Sequence, residues 1–194
     1  PIEQLIIATN SNDVLHRFMS KNQYEVHELL HTITPSMDIA VSSNFERLLF
    51  DLYDQDGKAL AELMTRMNAK KDIVTLDDDK LAKARELFDS YACDEDTTVK
   101  TMQEVFEETG YVLDPHTAIG VKAARTVRRN KNIPMVTLGT AHPVKFEEAV
   151  LRAGFEMPNL PHHLTDLMER TERMDVLPAD LAEVQKFVAE KTFK

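Results

Sequence analysis

Gly139-Thr140-Ala141-His142-Pro143-Val144-Lys145-Phe146 is the stretch whose reading decides the fold. The apolar run Ile133-Pro134-Met135-Val136-Thr137-Leu138 leads into it, and an amphipathic run from Phe146 to Ala153 leaves it. The pattern predicts a buried strand over 133–138, a turn made with one glycine, and a helix with Pro143 at its first position. Such a crossing sets the Thr140 hydroxyl at the carboxyl edge of a sheet, where open α/β folds bind ligands. Taken alone, Thr140 has a second reading, as the cap of the helix that Pro143 opens. His142 reads equally as a neighbour of that cap.

Working outward, Leu5 to Ala8 suits a buried parallel strand. Asn10-Ser11-Asn12-Asp13 then offers helix caps ahead of the face made by Val14, Leu15, Phe18 and Met19. Residues 22–42 read as irregular or extended. Ser43 and Glu46 fit a capping box for a helix running to about Asp54, and a second helix follows Gly57 through Leu60, Leu63, Met64 and Met67. Leu81, Ala84, Leu87 and Phe88 make one helical stripe, and Val99, Met102, Val105 and Phe106 make another. The acidic run Asp77-Asp78-Asp79 suits a helix start, and Gly110 a helix end. Asp114-Pro115 opens a further helix, with Asp as cap and Pro at the first position. Leu160–Arg170 and Pro178–Glu190 read as closing helices. No internal repeat or low-complexity tract interrupts the chain, so one helix-rich α/β unit over residues 1–194 is expected.

The bulk chemistry narrows the classes. With 194 residues the chain can bury a sizeable core. A formal net charge of −10 excludes a nucleic-acid binder, which needs clustered Lys and Arg. The apolar runs are far too short to span a bilayer, so no membrane partner is expected. The single cysteine, Cys93, suits a reducing compartment, which points to the cytoplasm, and it reads as a buried or incidental thiol.

One rival chemistry is written in the sequence. His27-Glu28-Leu29-Leu30-His31 is the H-E-x-x-H pattern of zinc hydrolases, in which a helix would place both imidazoles on one face and the glutamate as general base. Glu46 or Glu62 would be a distant third ligand. The context argues against it, because Thr32-Ile33-Thr34-Pro35 follows and no long helix is indicated. Asp54-Gln55-Asp56-Gly57 imitates part of a calcium loop, but Leu52 and Leu63 stand where the loop needs its first and last acids, leaving a helix–helix turn. His162-His163 reads as a loop or helix start.

Four blocks, in order, resemble the threonine synthase family. They are Ala8-Thr9-Asn10-Ser11-Asn12-Asp13; Pro35-Ser36-Met37-Asp38-Ile39 running on to Ser42-Ser43-Asn44-Phe45-Glu46-Arg47-Leu48-Leu49; Asp114-Pro115-His116-Thr117-Ala118; and the Gly139–Phe146 block. The resemblance covers essentially this whole chain but only the C-terminal part of the family. It implies the helix-rich C-terminal part of a fold type II, tryptophan-synthase-β-like pyridoxal-phosphate enzyme, with a short parallel sheet flanked by helices. It implies the conversion of O-phospho-L-homoserine and water to L-threonine and phosphate. Thr140 matches the family hydroxyl that bonds the cofactor's ring nitrogen, in the role of cofactor-binding residue. Asn12, Asp13, Ser36, Asn44, Arg47 and His116 become substrate-binding candidates through membership of these blocks, each with a cap or ion pair as its alternative role.

The resemblance also implies what is missing. Its Schiff-base lysine and glycine-rich phosphate cup belong upstream, and Gly57, Gly110, Gly120, Gly139 and Gly154 are too scattered to make a cup. No catalytic lysine is therefore expected here, and Lys145 matches no cofactor-holding lysine of the family. The chain is expected to be a truncated piece, inactive alone, whose partner is the N-terminal part of the same enzyme. A non-catalytic binding module is the remaining alternative.

Overall fold

The computed structural model describes residues 2–69 and 73–192. Pro1 lies outside them. The chain divides into two compact units, Pro1–Asn159 and Leu160–Lys194.

In the first unit, β1 (Leu5–Thr9) and β2 (Phe88–Ala92) form a parallel two-stranded sheet, with Leu5 opposite Phe88 and Thr9 opposite Ala92. Parallel strands need a crossover. Here it carries α1 (Val14–Lys21), α2 (Glu46–Leu52), α3 (Gly57–Asn68) and α4 (Asp78–Leu87). After β2 come α5 (Glu95–Thr109), α6 (Pro115–Val127) and α7 (Glu147–Arg152). The Asp56 and Asp94 side chains cap α3 and α5 by accepting backbone N–H groups. Gly110 closes α5 at φ 71°, a left-handed conformation that glycine adopts without a Cβ clash.

Four local expectations are corrected. The stripe that reads as helical through Phe88 is cut after Leu87, where the chain turns extended and finds a backbone partner in β1. Ser43 caps nothing with its side chain; it belongs to a 3-10 turn over Ser43–Phe45, and α2 starts only at Glu46. The run 133–138 is not a buried strand. It has no ladder partner among the described residues, and Val136 and Leu138 are 78% and 77% exposed. Leu160–Arg170 holds only two 3-10 turns, His162–Leu164 and Leu167–Glu169, with no buried residue to support a helix.

Two apolar clusters make the core of the first unit. Phe18, Tyr24 and Phe45 centre one, with Phe18 edge-on to Phe45 at 4.9 Å and Leu49 completely buried beside them. Met102, Ala118 and Val150 centre the other and lock α5, α6 and α7 together. Each such buried aliphatic side chain contributes about 1.5–3 kcal/mol from lost water contact. The second cluster fixes the start of α6 against the segment running into α7, and this places the site. The second unit, described to residue 192, holds the two 3-10 turns and α8 (Leu181–Thr192). Among the described residues no helix is long and apolar enough to cross a membrane.

Candidate functional site

The first turn of α6 is the hub. Pro115 supplies the fixed φ that starts a helix, and Asp114 caps it. Asp114 Oδ1 accepts the backbone N–H groups of His116 at 3.0 Å and Thr117 at 3.3 Å. The same carboxylate also accepts from His116 Nδ1 at 3.1 Å and, through Oδ2, from the Thr117 hydroxyl. Its side chain is only 1% exposed. Burial pushes the Asp114 carboxyl up, but the donors from the His116 and Thr117 side chains and backbones outweigh burial and hold it below the usual carboxylate range.

These bonds reach two other segments. Thr140 N–H donates to Thr117 Oγ1 at 3.0 Å, and the two threonine hydroxyls lie 3.1 Å apart. On the other side, Ser36 N–H donates to His116 Nε2 at 3.2 Å, which ties the 3-10 turn Pro35–Met37 to α6. A backbone N–H can only donate, so Nε2 carries a lone pair and the His116 proton sits on Nδ1, facing Asp114. The Phe146 ring packs against the His116 imidazole at 4.4 Å. Thr137 closes on α6 so tightly that a Cβ added at Gly120 would meet its methyl at 3.0 Å.

Thr140, His116 and Ser36 together line a cavity of about 800 Å³. Leu5, Ile6 and the 133–138 run make much of its apolar wall. Thr140 is not a helix cap. His142 takes that task, its Nδ1 accepting Val144 N–H at 3.3 Å over the 3-10 turn Pro143–Lys145.

The other sequence candidates lie apart. Asn44 and Arg47 line a separate groove of about 700 Å³ over α2 and the start of α3, together with Glu46 and Asp51. Asn12 and Asp13 hold the loop architecture. Asn12 binds Leu30 from both sides at 2.9 Å and donates to Asp38 at 3.0 Å. Asp13 pairs with Arg17 at 2.8 Å. The buried Asn10 amide, which the sequence does not single out, donates to Thr32, Thr34 and Asp38 at 2.8–2.9 Å. It staples the loop that carries Ser36.

The zinc-hydrolase alternative fails on geometry. Residues 25–32 form no helix, so His27 and His31 do not share a face. His27 pairs with Glu25 at 3.0 Å. Among the described residues no cluster of three or more His, Cys, Asp or Glu side chains is arranged to hold a metal. Cys93 is buried, bonded to Thr98, and its thiol is raised by burial.

The site residues that spacing does not reveal are Asp114 and Thr117. Their visible signal is the Asp-Pro start of α6, which a capping role alone satisfies.

A family model described as the C-terminal domain of threonine synthase matches residues 117–188. The threonine synthase of Pseudomonas aeruginosa is 56% identical over 191 residues, covering 98% of this chain and 40% of that protein. That of Methylobacillus glycogenes is 36% identical, over 98% of this chain and 41% of that protein. The chain thus spans about two fifths of the length of the curated relatives it matches. Among solved structures, the pyridoxal-phosphate-bound threonine synthase of Brucella melitensis superposes with a TM-score of 0.88 at 43% identity, over the whole of this chain and 41% of that one. The yeast enzyme superposes at 0.82 and 32% identity, over 98% of this chain and 42% of that one.

Proposed function

This chain belongs to the threonine synthase family, and from that premise we propose that it forms one wall of an active site that converts O-phospho-L-homoserine and water to L-threonine and phosphate. The observation that carries the reading is the Asp114–Thr117–Thr140 network, which presents one hydroxyl at the edge of a cavity.

The residues fit the ring-nitrogen end of pyridoxal phosphate. An oriented hydroxyl with a buried carboxylate behind it, beside an apolar wall, suits the edge of a pyridine ring. They do not include its phosphate cup or a Schiff-base lysine, and an N-terminal part of the same enzyme supplies both. When bound, the cofactor supplies an electron sink for carbanion chemistry at the substrate. Thr140 would be the residue that holds the ring nitrogen. His116, fixed by Asp114, orients the Pro35–Met37 turn, so that Ser36 faces the same cavity. Asn44 and Arg47 offer an amide and a guanidinium for a carboxylate or phosphate. Asn12 and Asp13 act on the substrate only through the loops they brace. The cell compartment is the cytoplasm, consistent with one buried, unpaired cysteine.

Phosphate release by the intact protein tests this, comparing Thr140→Val with Thr140→Ser. The valine variant loses a hydrogen bond worth about 0.5–1.5 kcal/mol, so its turnover or cofactor retention falls by roughly 2- to 10-fold or more. The serine variant keeps most of both. Equal activity in the valine variant and the wild type would refute the assignment.

A further inference from the structure

We propose that the apolar face of α8 is a docking surface for the upstream part of the same enzyme. The inference rests on the reading above, in which an N-terminal part completes the enzyme, and adds the surface of the second unit that receives it.

Local bonds do not account for α8. Leu181, Val184 and Val188 recur at the spacing of one helix face, with Phe187 beside them, while Glu183, Lys186 and Glu190 take the opposite face. The first three are 74%, 39% and 52% exposed. A helix of 12 residues is marginal in water by itself and draws most of its stability from burying such a face. The support inside the unit sits at the helix ends. Asp180 Oδ1 accepts Glu183 N–H at 3.0 Å, and Lys191 reaches Asp175 at 3.8 Å while lying over the Phe187 ring at 5.3 Å. Among the described residues from Leu160 onward none is buried, although Met168, Met174 and Val176 add further large apolar side chains. Apolar surface of this kind marks an interaction site.

Length and charge select the occupant. The curated relatives share about two fifths of their length with this chain, so about three fifths of each is protein that this chain does not contain. The family model runs to residue 188 and takes in most of α8, so the helix is a regular part of that larger protein. A second copy fits poorly. From Leu160 to Thr192 the segment carries seven Asp and Glu against four Lys and Arg, so two copies repel each other. An anionic lipid surface repels it for the same reason, and the polar face lacks the excess of Lys and Arg that an interfacial helix needs.

The test is photo-cross-linking in the intact protein, with p-benzoylphenylalanine placed at Val188 and the linked peptides identified by mass spectrometry. A link to a peptide upstream of Pro1 in the same polypeptide is expected. The same probe at Glu190, on the opposite face, is expected to give roughly tenfold less of it. A link into residues 1–159, a link between two copies, or no link above the Glu190 background overturns the proposal. Hydrogen exchange of the intact protein gives a second readout without a probe. Val184→Asp is expected to speed exchange of the α8 amides by roughly tenfold or more, and Glu183→Gln to leave it unchanged. Equal exchange in Val184→Asp and the wild type overturns the proposal as well. Phosphate release is measured on the same protein, so that an upstream link without phosphate release refutes the enzymatic reading and leaves the docking surface standing.

Discussion

Replacing Thr117 with Val removes one oxygen and keeps the side-chain shape. That oxygen makes three contacts: it donates to the Asp114 carboxylate and accepts from both the amide and the hydroxyl of Thr140. A hydrogen bond to a charged group contributes about 1.5–3 kcal/mol and a neutral one about 0.5–1.5 kcal/mol. No cavity opens, because the methyl fills the space, so the expected loss is about 2–4 kcal/mol. For a chain of this size that corresponds to a fall in Tm of roughly 5–15 °C. Thermal unfolding followed by circular dichroism measures it. A double-mutant cycle with Asp114→Asn isolates the shared part, expected to be about 1 kcal/mol or more. A Thr117→Val variant within about 0.5 kcal/mol of the wild type, the range of an ordinary surface change, would refute the claim that Thr117 is the link.

Other predictions follow from the same geometry. Because the folded Asp114 carboxyl lies below its ordinary value, its contribution is fully present above about pH 4 and is lost as pH falls through the depressed value. Acid titration of stability should therefore flatten in Asp114→Asn. Asn10→Ala removes the donors that hold Thr32, Thr34 and Asp38, and hydrogen exchange across residues 30–38 should accelerate at least tenfold, a loss of about 1.4 kcal/mol or more. Leu49→Ala empties a fully buried site in the first cluster and should cost about 2–5 kcal/mol in denaturant unfolding. His27→Ala and His31→Ala should leave stability within about 0.5 kcal/mol and bound metal unchanged by elemental analysis.

Locally encoded features were legible in the sequence. β1, α1, α3, α5 and α6 stand where apolar runs, helical stripes and turn residues place them, because each signal lies within a few residues of its effect. The four motif blocks led to the family and to Thr140. What escaped depends on distant partners. β2 has Asp89 and Ser90 in its middle and becomes a strand only because β1 lies alongside. The 133–138 run has the composition of a buried strand, but it lines a cavity wall and pairs with no strand among the described residues. The role of Asp114 was hidden for another reason. Its cap signature is satisfied locally, and nothing in the spacing shows that Thr140, far along the chain, closes on the same carboxylate. Ser36 and His116 share the Thr140 cavity, whereas Asn44 and Arg47 sit in a groove of their own, a partition that motif membership does not encode.

The central claim is that this network presents Thr140 to a cofactor ring. A crystal structure of the intact protein soaked with pyridoxal phosphate tests it most directly. The account predicts the ring nitrogen at about 2.7–3.2 Å from Thr140 Oγ1, with Thr117 and Asp114 unmoved behind it. A cofactor bound with its ring nitrogen against any other side chain would contradict it.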